Sequence, residues 1–481
     1  MYLGLDLGTS GLRGLLVDEG GVALGEAQAG YEVAHPKPGH SEQDAAVWIA
    51  ATKQVIAALV AAYPQEMSGL RGIGISGHMH GAVCLDKNGA PLRPCILWND
   101  TRAAVEAAKL DRNPAFHRIS GNIVFPGFTA PKLIWMAAHE ADLFAKVDKV
   151  CLPKDYLGYW LTGRLVTEMS DASGTSWLDV GARGWSVDLI AATGMRRDQL
   201  PDVIEGCSVA GVLRDEVAAS LDLPMGVSVV GGAADNAAAA CGIGAMGEGR
   251  GFVSLGTSGV ILAGKDSYAP DAASAVHTFC HAVPDKWYQM GVILSATDSL
   301  NWLAAQLGQA PASLSAGLPK KPQGPATLRF LPFLSGERTP HNDAEIRGAF
   351  IGLSAHSDHR EMTQAVMEGV GFALRDCLEA LRGTGTKPDR VMAIGGGSNS
   401  PFWVQSLANI LAIPVDLPAK GDFGAALGAA RLAIVGVTGV PVADLMVSPE
   451  IAQTFIPEHT AAYEAAYQKY TRSYALIKDI Q

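Results

Sequence analysis

Two aspartates, each set among very small residues, carry the chemistry this sequence offers: Asp6 in LGLDLGTSGLRGLLVD (residues 3–18) and Asp235 in VVGGAADNAAAACGIG (residues 229–244). Around Asp6 the apolar flanks alternate as half-buried strands do, and Gly8, Thr9, Ser10 and Gly11 form the centre of a β-hairpin. Such a tip exposes backbone N–H groups and two hydroxyls with little bulk around them, a cradle for phosphate oxygens. Asp235 stands where an apolar strand beginning at Val227 meets a helix-forming alanine run. A carboxylate at that junction reaches into a cleft as a general base, and its small neighbours let a substrate approach. Each aspartate also has a purely structural use: a buried acid beside an ordinary glycine turn at Asp6, and an N-cap at Asp235.

The hairpin motif recurs. VSLGTSGV (residues 253–260) repeats the LGTSG of residues 7–11, in the same strand context but without the acid. Two copies in the two halves of the chain predict two related domains, each presenting a hairpin tip to a shared cleft. The join is expected near residues 243 to 250, at glycine-rich GIGAMGEG (residues 242–249), giving domains 1–245 and 246–481. A third small-residue loop, GGGSNS (residues 395–400), follows an expected strand over 391–394 and precedes a helix with Ser400 as N-cap and Pro401 in its first position. The three loops together point to a nucleotide, although neither GxxxxGK[ST] nor a single βαβ dinucleotide fingerprint is present.

The elements that must position these loops alternate between strand-like and helical patterns, an α/β organisation. One helix is expected after Asp44, with Trp48, Thr52, Val55, Ile56, Leu59, Val60 and Tyr63 on one face and Pro64 stopping it. Another is expected from about Glu361 to Arg382, ending at Gly383. The 481 residues, 48% hydrophobic and 18% charged, are globular in composition and long enough for roughly two to four domains. A net charge of −11 argues against nucleic acid or an anionic membrane as partner. MYLGLDLG has no signal-peptide character, and the apolar stretch from Ala425 is broken by Arg431 and several glycines. Seven dispersed cysteines without a CxxC pair suit a reducing cytoplasm. His277 and His281 flank TFC, whose composition suits a strand, so packing is expected there rather than metal ligation. Trp98, Trp135, Trp177 and Trp302 could stack on a ligand, but aromatics most often fill cores.

Longer patterns resemble the FGGY family of carbohydrate kinases, within the superfamily of actin, hexokinase and heat-shock ATPase folds. GFTAPKLIWM (residues 127–136) is similar to its first signature, and GAFIGL (348–353) followed by EMTQAVME (361–368) to its second. SEQD (41–44), SGHMHGA (76–82), LWNDTR (97–102), PKDYL (153–157), MSDASGT (169–175) and SGERTPH (335–341) resemble the members that act on xylulose.

The resemblance covers essentially the whole chain and implies an α/β fold of two actin-like (ribonuclease H-like) domains with an active-site cleft between them. It implies phosphorylation of D-xylulose to D-xylulose 5-phosphate by ATP with Mg2+, with ribulose or glycerol as alternative acceptors. An actin- or chaperone-like ATPase would share the fold but lack a small-molecule acceptor. Carried over, it makes Asp235 the base, with Asn236, Met79 and His80 at the sugar, and Asp6 the acid facing Mg-nucleotide through water. Gly8, Thr9, Ser10, Arg13, Gly256 and Thr257 would surround the phosphates, and Gly396, Gly397 and Asn399 would border the adenosine. Sugar and ATP are then the partners, in the cytoplasm, and a homodimer is allowed. Two departures stand beside the expected sugar pocket: His78, where relatives often carry glutamine, and Ala233-Ala234, where glycines commonly precede the Asp-Asn pair.

Overall fold

A computed structural model describes residues 1–419 and 424–480. Each half is organised around a seven-stranded mixed sheet. The first contains the path Val209–Val212, Ser228–Val230, Gly72–Gly77, Tyr2–Leu7, Gly11–Val17, Ala23–Gly30, with Ala233–Ala234 added beside Gly72–Gly77. The second runs His277–Cys280, Trp287–Ile293, Gly259–Lys265, Gly251–Leu255, Val391–Ile394, Val415–Pro418, Ile451–Phe455.

The repeat seen in the sequence is a repeat of pairing. In each sheet the strand leading into LGTSG pairs antiparallel with the strand leaving it, Leu7 opposite Leu12 and Leu255 opposite Gly259. Each entering strand also pairs parallel with a later one, Tyr2–Leu7 with Gly72–Gly77 and Gly251–Leu255 with Val391–Ile394. Parallel pairing needs a long crossover, which the helices provide. Both tips therefore sit at the end of a central strand, at the carboxyl edge where α/β sheets bind ligands.

The helix expected after Asp44 spans Ala45–Ala62, with Asp44 accepting a hydrogen bond from the Ala46 N–H and Trp48, Thr52, Val55, Ile56 and Leu59 buried. It is long and apolar enough to cross a membrane, yet its buried face lies against Gly11–Val17 and Ala23–Gly30. Pro64 opens a second, short helix, Pro64–Ser68. The long helix of the second half runs His359–Gly383 from an Asp358 cap. Strand Val391–Ile394, the Ser400 cap and Pro401 at the start of helix Pro401–Leu411 stand where the sequence places them.

One element crosses the expected division of the chain. Helix Ala425–Thr438 lies between the last two strands of the second sheet in chain order but packs on Tyr2–Leu7, Gly72–Gly77 and helix Asp235–Ile243 of the first half. The approach is backbone to backbone: a Cβ on Gly74 would fall 1.9 Å from the Ala429 carbonyl oxygen, and one on Gly428 1.8 Å from that of Ala238. Only glycine fits at such a crossing. An apolar cluster accordingly continues from Tyr2 and Met79 through Ala237 and Ala430 to Phe252 and Phe279, joining the halves beneath the cleft.

Candidate active site

A cavity of about 230 Å³ opens between the two sheets. Its walls are Met79 and His80 after strand Gly72–Gly77, Phe125 and Phe128 ahead of helix Thr129–His139, and the second hairpin from Ser254 to Val260. Asp235 and Asn236 form one side, with Trp98 and Arg338 also on the lining. The volume lies below the roughly 300 Å³ at which drug-sized pockets begin, the scale of a small polyhydroxylated molecule.

Asp235 is the first residue of helix Asp235–Ile243; the cap position belongs to Ala234, and no side chain caps this helix. The capping role open in the sequence is therefore not the one it plays. Its Oδ1 accepts from the Asn236 N–H at 2.6 Å and the Asn236 Nδ2 at 2.9 Å. Asn236 thus orients the carboxylate, and Oδ2 has no hydrogen bond within the described residues. Burial pushes the Asp235 carboxyl up to about 6, the two Asn236 hydrogen bonds hold it down, and the charge of Asp6 adds to the rise. A carboxylate tuned this way is ionised at neutral pH yet basic enough to take a proton.

His80 has a positive φ of 71°. Thr129 Oγ1 and Lys132 Nζ both donate to its carbonyl, at 3.1 and 2.8 Å. Lys132 is wholly buried and donates as well to the Gly127 carbonyl at 2.7 Å, tying two cavity walls together. The His80 ring stacks on Phe128 with centroids 4.6 Å apart, and Nδ1 lies 2.8 Å from the Gly174 carbonyl. A carbonyl only accepts, so Nδ1 carries the proton and Nε2 is an acceptor. Burial lowers the imidazole to about 3, which keeps it neutral. Met79 is fixed by the Tyr288 hydroxyl, which donates to its sulfur at 3.9 Å. His78 turns away from the cavity: its ring meets Trp48 edge to face and neither nitrogen is hydrogen-bonded. Ala233 and Ala234 are buried in strand pairing with Ser76 and Gly77. The two sequence departures thus lie behind the pocket wall rather than on it.

Beneath Asp235 a buried ionic group braces the helix start. Ser170 Oγ accepts from the Ala234 N–H at 3.0 Å and donates to Glu168. Lys154 Nζ lies 2.7 Å from Asp155 and 3.6 Å from both Glu168 and Asp171. These residues come from the PKDYL and MSDASGT stretches and the segment between them.

The first hairpin tip adjoins the cavity through Thr9, whose Oγ1 accepts from Trp98 Nε1 at 3.0 Å. Gly8 is held by Tyr31, whose hydroxyl donates to its carbonyl at 2.7 Å. Asp6 is the next-to-last residue of the strand before it and accepts from Ser76 Oγ. Arg13 stands opposite Asp6 in the hairpin and pairs with Glu26. In the second hairpin the Gly256 carbonyl accepts from both the N–H and the hydroxyl of Thr297, at 2.9 and 2.8 Å, and Thr257 from the Ala296 N–H at 2.8 Å. Gly256 lines the smaller cavity, while Thr297 lines a larger pocket of about 810 Å³. Gly396, Gly397 and Asn399 border that larger pocket with Ser400 and Trp403. Of the expected residues, Met79, His80, Asp235, Asn236 and Gly256 line the smaller cavity and Gly396, Gly397 and Asn399 the larger pocket, while Asp6, Gly8, Thr9, Ser10, Arg13 and Thr257 are on the lining of neither.

Two lining or supporting residues went unread in the sequence. Arg338 lies within SGERTPH, where nothing in spacing marks it as a cavity residue. Lys132 could have been found, because in FTAPKLIWM it falls on the apolar helix face with Leu133 and Met136. His277 and His281 pack as expected, His277 stacked on Phe279 in a strand, and His281 Nδ1 accepting from the Ala282 N–H. Of the tryptophans, Trp98 reaches the cavity, Trp177 is buried in a core cluster and Trp302 stacks on Phe330.

Comparison with known proteins agrees with this arrangement. The chain matches the N-terminal domain of the FGGY family of carbohydrate kinases over residues 1–242 and its C-terminal domain over 251–437. It is 46% identical to a xylulose kinase of Klebsiella pneumoniae over 91% of this chain and 90% of the relative. With a xylulose kinase of Escherichia coli K12 it shares 42% identity over 98% of each. A crystal structure described as a "xyloylose kinase" from Brucella ovis superposes with a TM-score of 0.98 at 53% identity, covering all of both chains. Two paired sheets, twin hairpin tips and an acid on the wall of the smaller cavity are thus the parts of a sugar kinase of actin-like fold, and the chain belongs to the FGGY family of carbohydrate kinases.

Proposed function

We propose that this enzyme phosphorylates D-xylulose to D-xylulose 5-phosphate with ATP, Asp235 serving as general base. The observation that carries the reading is Asp235 itself: held by Asn236 through one oxygen, with the other available, in a sugar-sized cavity one hairpin tip away from a nucleotide-sized pocket.

The acceptor hydroxyl donates to Asp235 Oδ2. As its oxygen attacks the γ-phosphorus, the proton passes to the carboxylate, the new O–P bond forms and the bond to ADP breaks. Phosphoryl transfer asks for positioning and charge stabilisation more than for covalent help. Backbone N–H groups and hydroxyls of Thr9, Ser10, Gly256 and Thr257 hold the phosphates, with Arg13 close by, while Gly8 shapes the first tip by closing its turn through its N–H to the Gly11 carbonyl. Gly396, Gly397 and Asn399 hold the adenosine side. Met79 and His80 hold the sugar, His80 through the Nε2 lone pair.

The residues present fit Mg2+. Among those described, no cluster of three His, Cys, Asp or Glu side chains forms a protein cage. Asp6 nevertheless stands near enough to Asp235 for its charge to add to the rise of that carboxyl. Mg2+ characteristically keeps several waters and uses one or two carboxylates plus substrate phosphates. Asp6 would hold that water shell, and the ion would neutralise charge on the transferring phosphoryl group. Cytoplasmic location fits seven unpaired cysteines, six of them buried. ADP release measured with D-xylulose, with and without the Asp235→Asn change, tests the proposal: turnover on D-xylulose that depends on Asp235 supports it, and turnover indifferent to Asp235 removes the base.

A further inference from the structure

One charged group of the sugar cavity has no assigned task. Arg338 lines it, half-buried, with its guanidinium carbon 4.7 Å above the Phe125 ring. Among the described residues no carboxylate lies within ion-pair distance of it. Its neighbour Glu337 is turned elsewhere: Oε1 accepts from the backbone N–H groups of Leu294 and Arg338, at 3.1 and 2.7 Å, and Oε2 is buried without a partner. Burial pushes that carboxyl up to about 8 against the pull of its two backbone hydrogen bonds and of the Arg338 charge, and it makes no ion pair with the guanidinium.

The segment is held firmly. Thr339 exchanges hydrogen bonds with strand Trp287–Ile293, its N–H donating to the Val292 carbonyl at 3.1 Å and its Oγ1 accepting from the Val292 N–H at 3.1 Å. An aromatic chain then fixes where the charge sits. Phe125 packs 5.4 Å from Phe128 and 4.9 Å from His277, and Phe128 stacks on His80. Arg338 is thereby seated on the Phe125–Phe128–His80 side of the cavity, and its charge adds to the lowering that burial imposes on His80 and His277.

A guanidinium with no ion pair, in a site that takes a neutral sugar, offers planar donors without acceptors. We propose that Arg338 is a specificity residue that donates to the oxygens at the end of the acceptor remote from the phosphorylated hydroxyl, and that the same group gives the cavity affinity for five-carbon sugar acids, bound with the carboxylate on Arg338. This deepens the sugar-kinase reading and rests on it for the acceptor's orientation. A ketose presents its carbonyl and terminal hydroxyl at that end; an aldonate presents a carboxylate matched to the guanidinium fork.

Calorimetric titration of the full-length protein with D-xylonate, and with xylitol as the uncharged control, tests the site without turnover. D-xylonate should bind at least about tenfold more tightly than xylitol and compete with D-xylulose, the scale of a charge-assisted hydrogen bond. Arg338→Met, which keeps the stem over Phe125, should abolish that preference. It should also raise the KM for D-xylulose about tenfold while moving kcat and the KM for ATP much less; Arg338→Lys should recover part of the loss. A D-xylonate preference that survives in Arg338→Met, or is missing from the unmodified protein, overturns the assignment. Failure to phosphorylate D-xylulose would instead count against the substrate reading, since the titration reports on Arg338 independently.

Discussion

At the scale of single residues, two side chains on the lining of one cavity, Asp235 and His80, carry the chemistry and the choice of sugar. Asp235→Asn keeps the size and the contact with Asn236 but cannot accept a proton, so kcat should fall by roughly 10²- to 10⁴-fold with nucleotide binding intact. Because burial raises Asp235 to about 6, the carboxylate is ionised above that pH and protonated below it. The kcat/KM profile should therefore drop on its acid side with an apparent pKa near 6, a limb absent from the residual activity of Asp235→Asn. On the same lining, His80 presents a neutral acceptor fixed by Gly174 and Phe128. A buried acceptor discriminates among hydroxyl stereoisomers because the wrong one leaves it unpaired, whereas an apolar wall distinguishes by only about 1–3 kcal/mol per methylene. His80→Ala should lose most activity on D-xylulose and narrow the gap to ribulose, while the nearly isosteric Met79→Leu should cost little. An unchanged xylulose-to-ribulose ratio in His80→Ala would take stereochemical reading away from this residue.

The next scale is that of the elements. The hairpins, the Asp44-capped helix, the 391–394 strand and the Ser400-Pro401 helix start were legible because each is written locally, in alternation, caps and turn residues. Helix Ala425–Thr438 was legible as an apolar segment but not as a wedge against the first sheet, since only tertiary contact explains Gly74 and Gly428. Gly428→Ala would drive a methyl into the Ala238 carbonyl, and overpacking of this kind costs about 1–3 kcal/mol. A thermal melt should show Gly428→Ala less stable, and, since Ala238 lies in the helix that Asp235 begins, turnover should fall as well; an unchanged melt would mean the wedge yields freely. The other acid, Asp6, is the next-to-last residue of its strand, beside the first tip. Asp6→Asn should raise the Mg2+ concentration needed for half-maximal rate and leave the KM for sugar close to normal, and a titration of rate against Mg2+ reads the difference. If the Mg2+ dependence does not move, Asp6 has another task.

For the whole molecule, the repeated LGTSG announced a two-sided cleft, but the order in which the loops meet was hidden, because Thr9, Gly256 and Asn399 come together only through crossovers. Arg338 was hidden for the same reason: its position depends on hydrogen bonds from Glu337 and Thr339 to the strand Trp287–Ile293 and to Leu294 just after it. Phosphate loops on two sheets grip one nucleotide best when the cleft narrows, and closure also excludes water as a competing acceptor. Small-angle scattering should show a smaller radius of gyration with D-xylulose and a non-hydrolysable nucleotide than without them; superimposable profiles would rule out hinge closure as the gating step. The central claim is that a small sugar, activated by Asp235, receives the phosphoryl group. Its most direct test is initial ADP release by the enzyme and by Asp235→Asn, over a panel of D-xylulose, ribulose, glycerol and no acceptor. The account predicts strong release that requires an acceptor, is highest with D-xylulose and collapses in Asp235→Asn; equal release with no acceptor, or with Asp235 replaced, would contradict it.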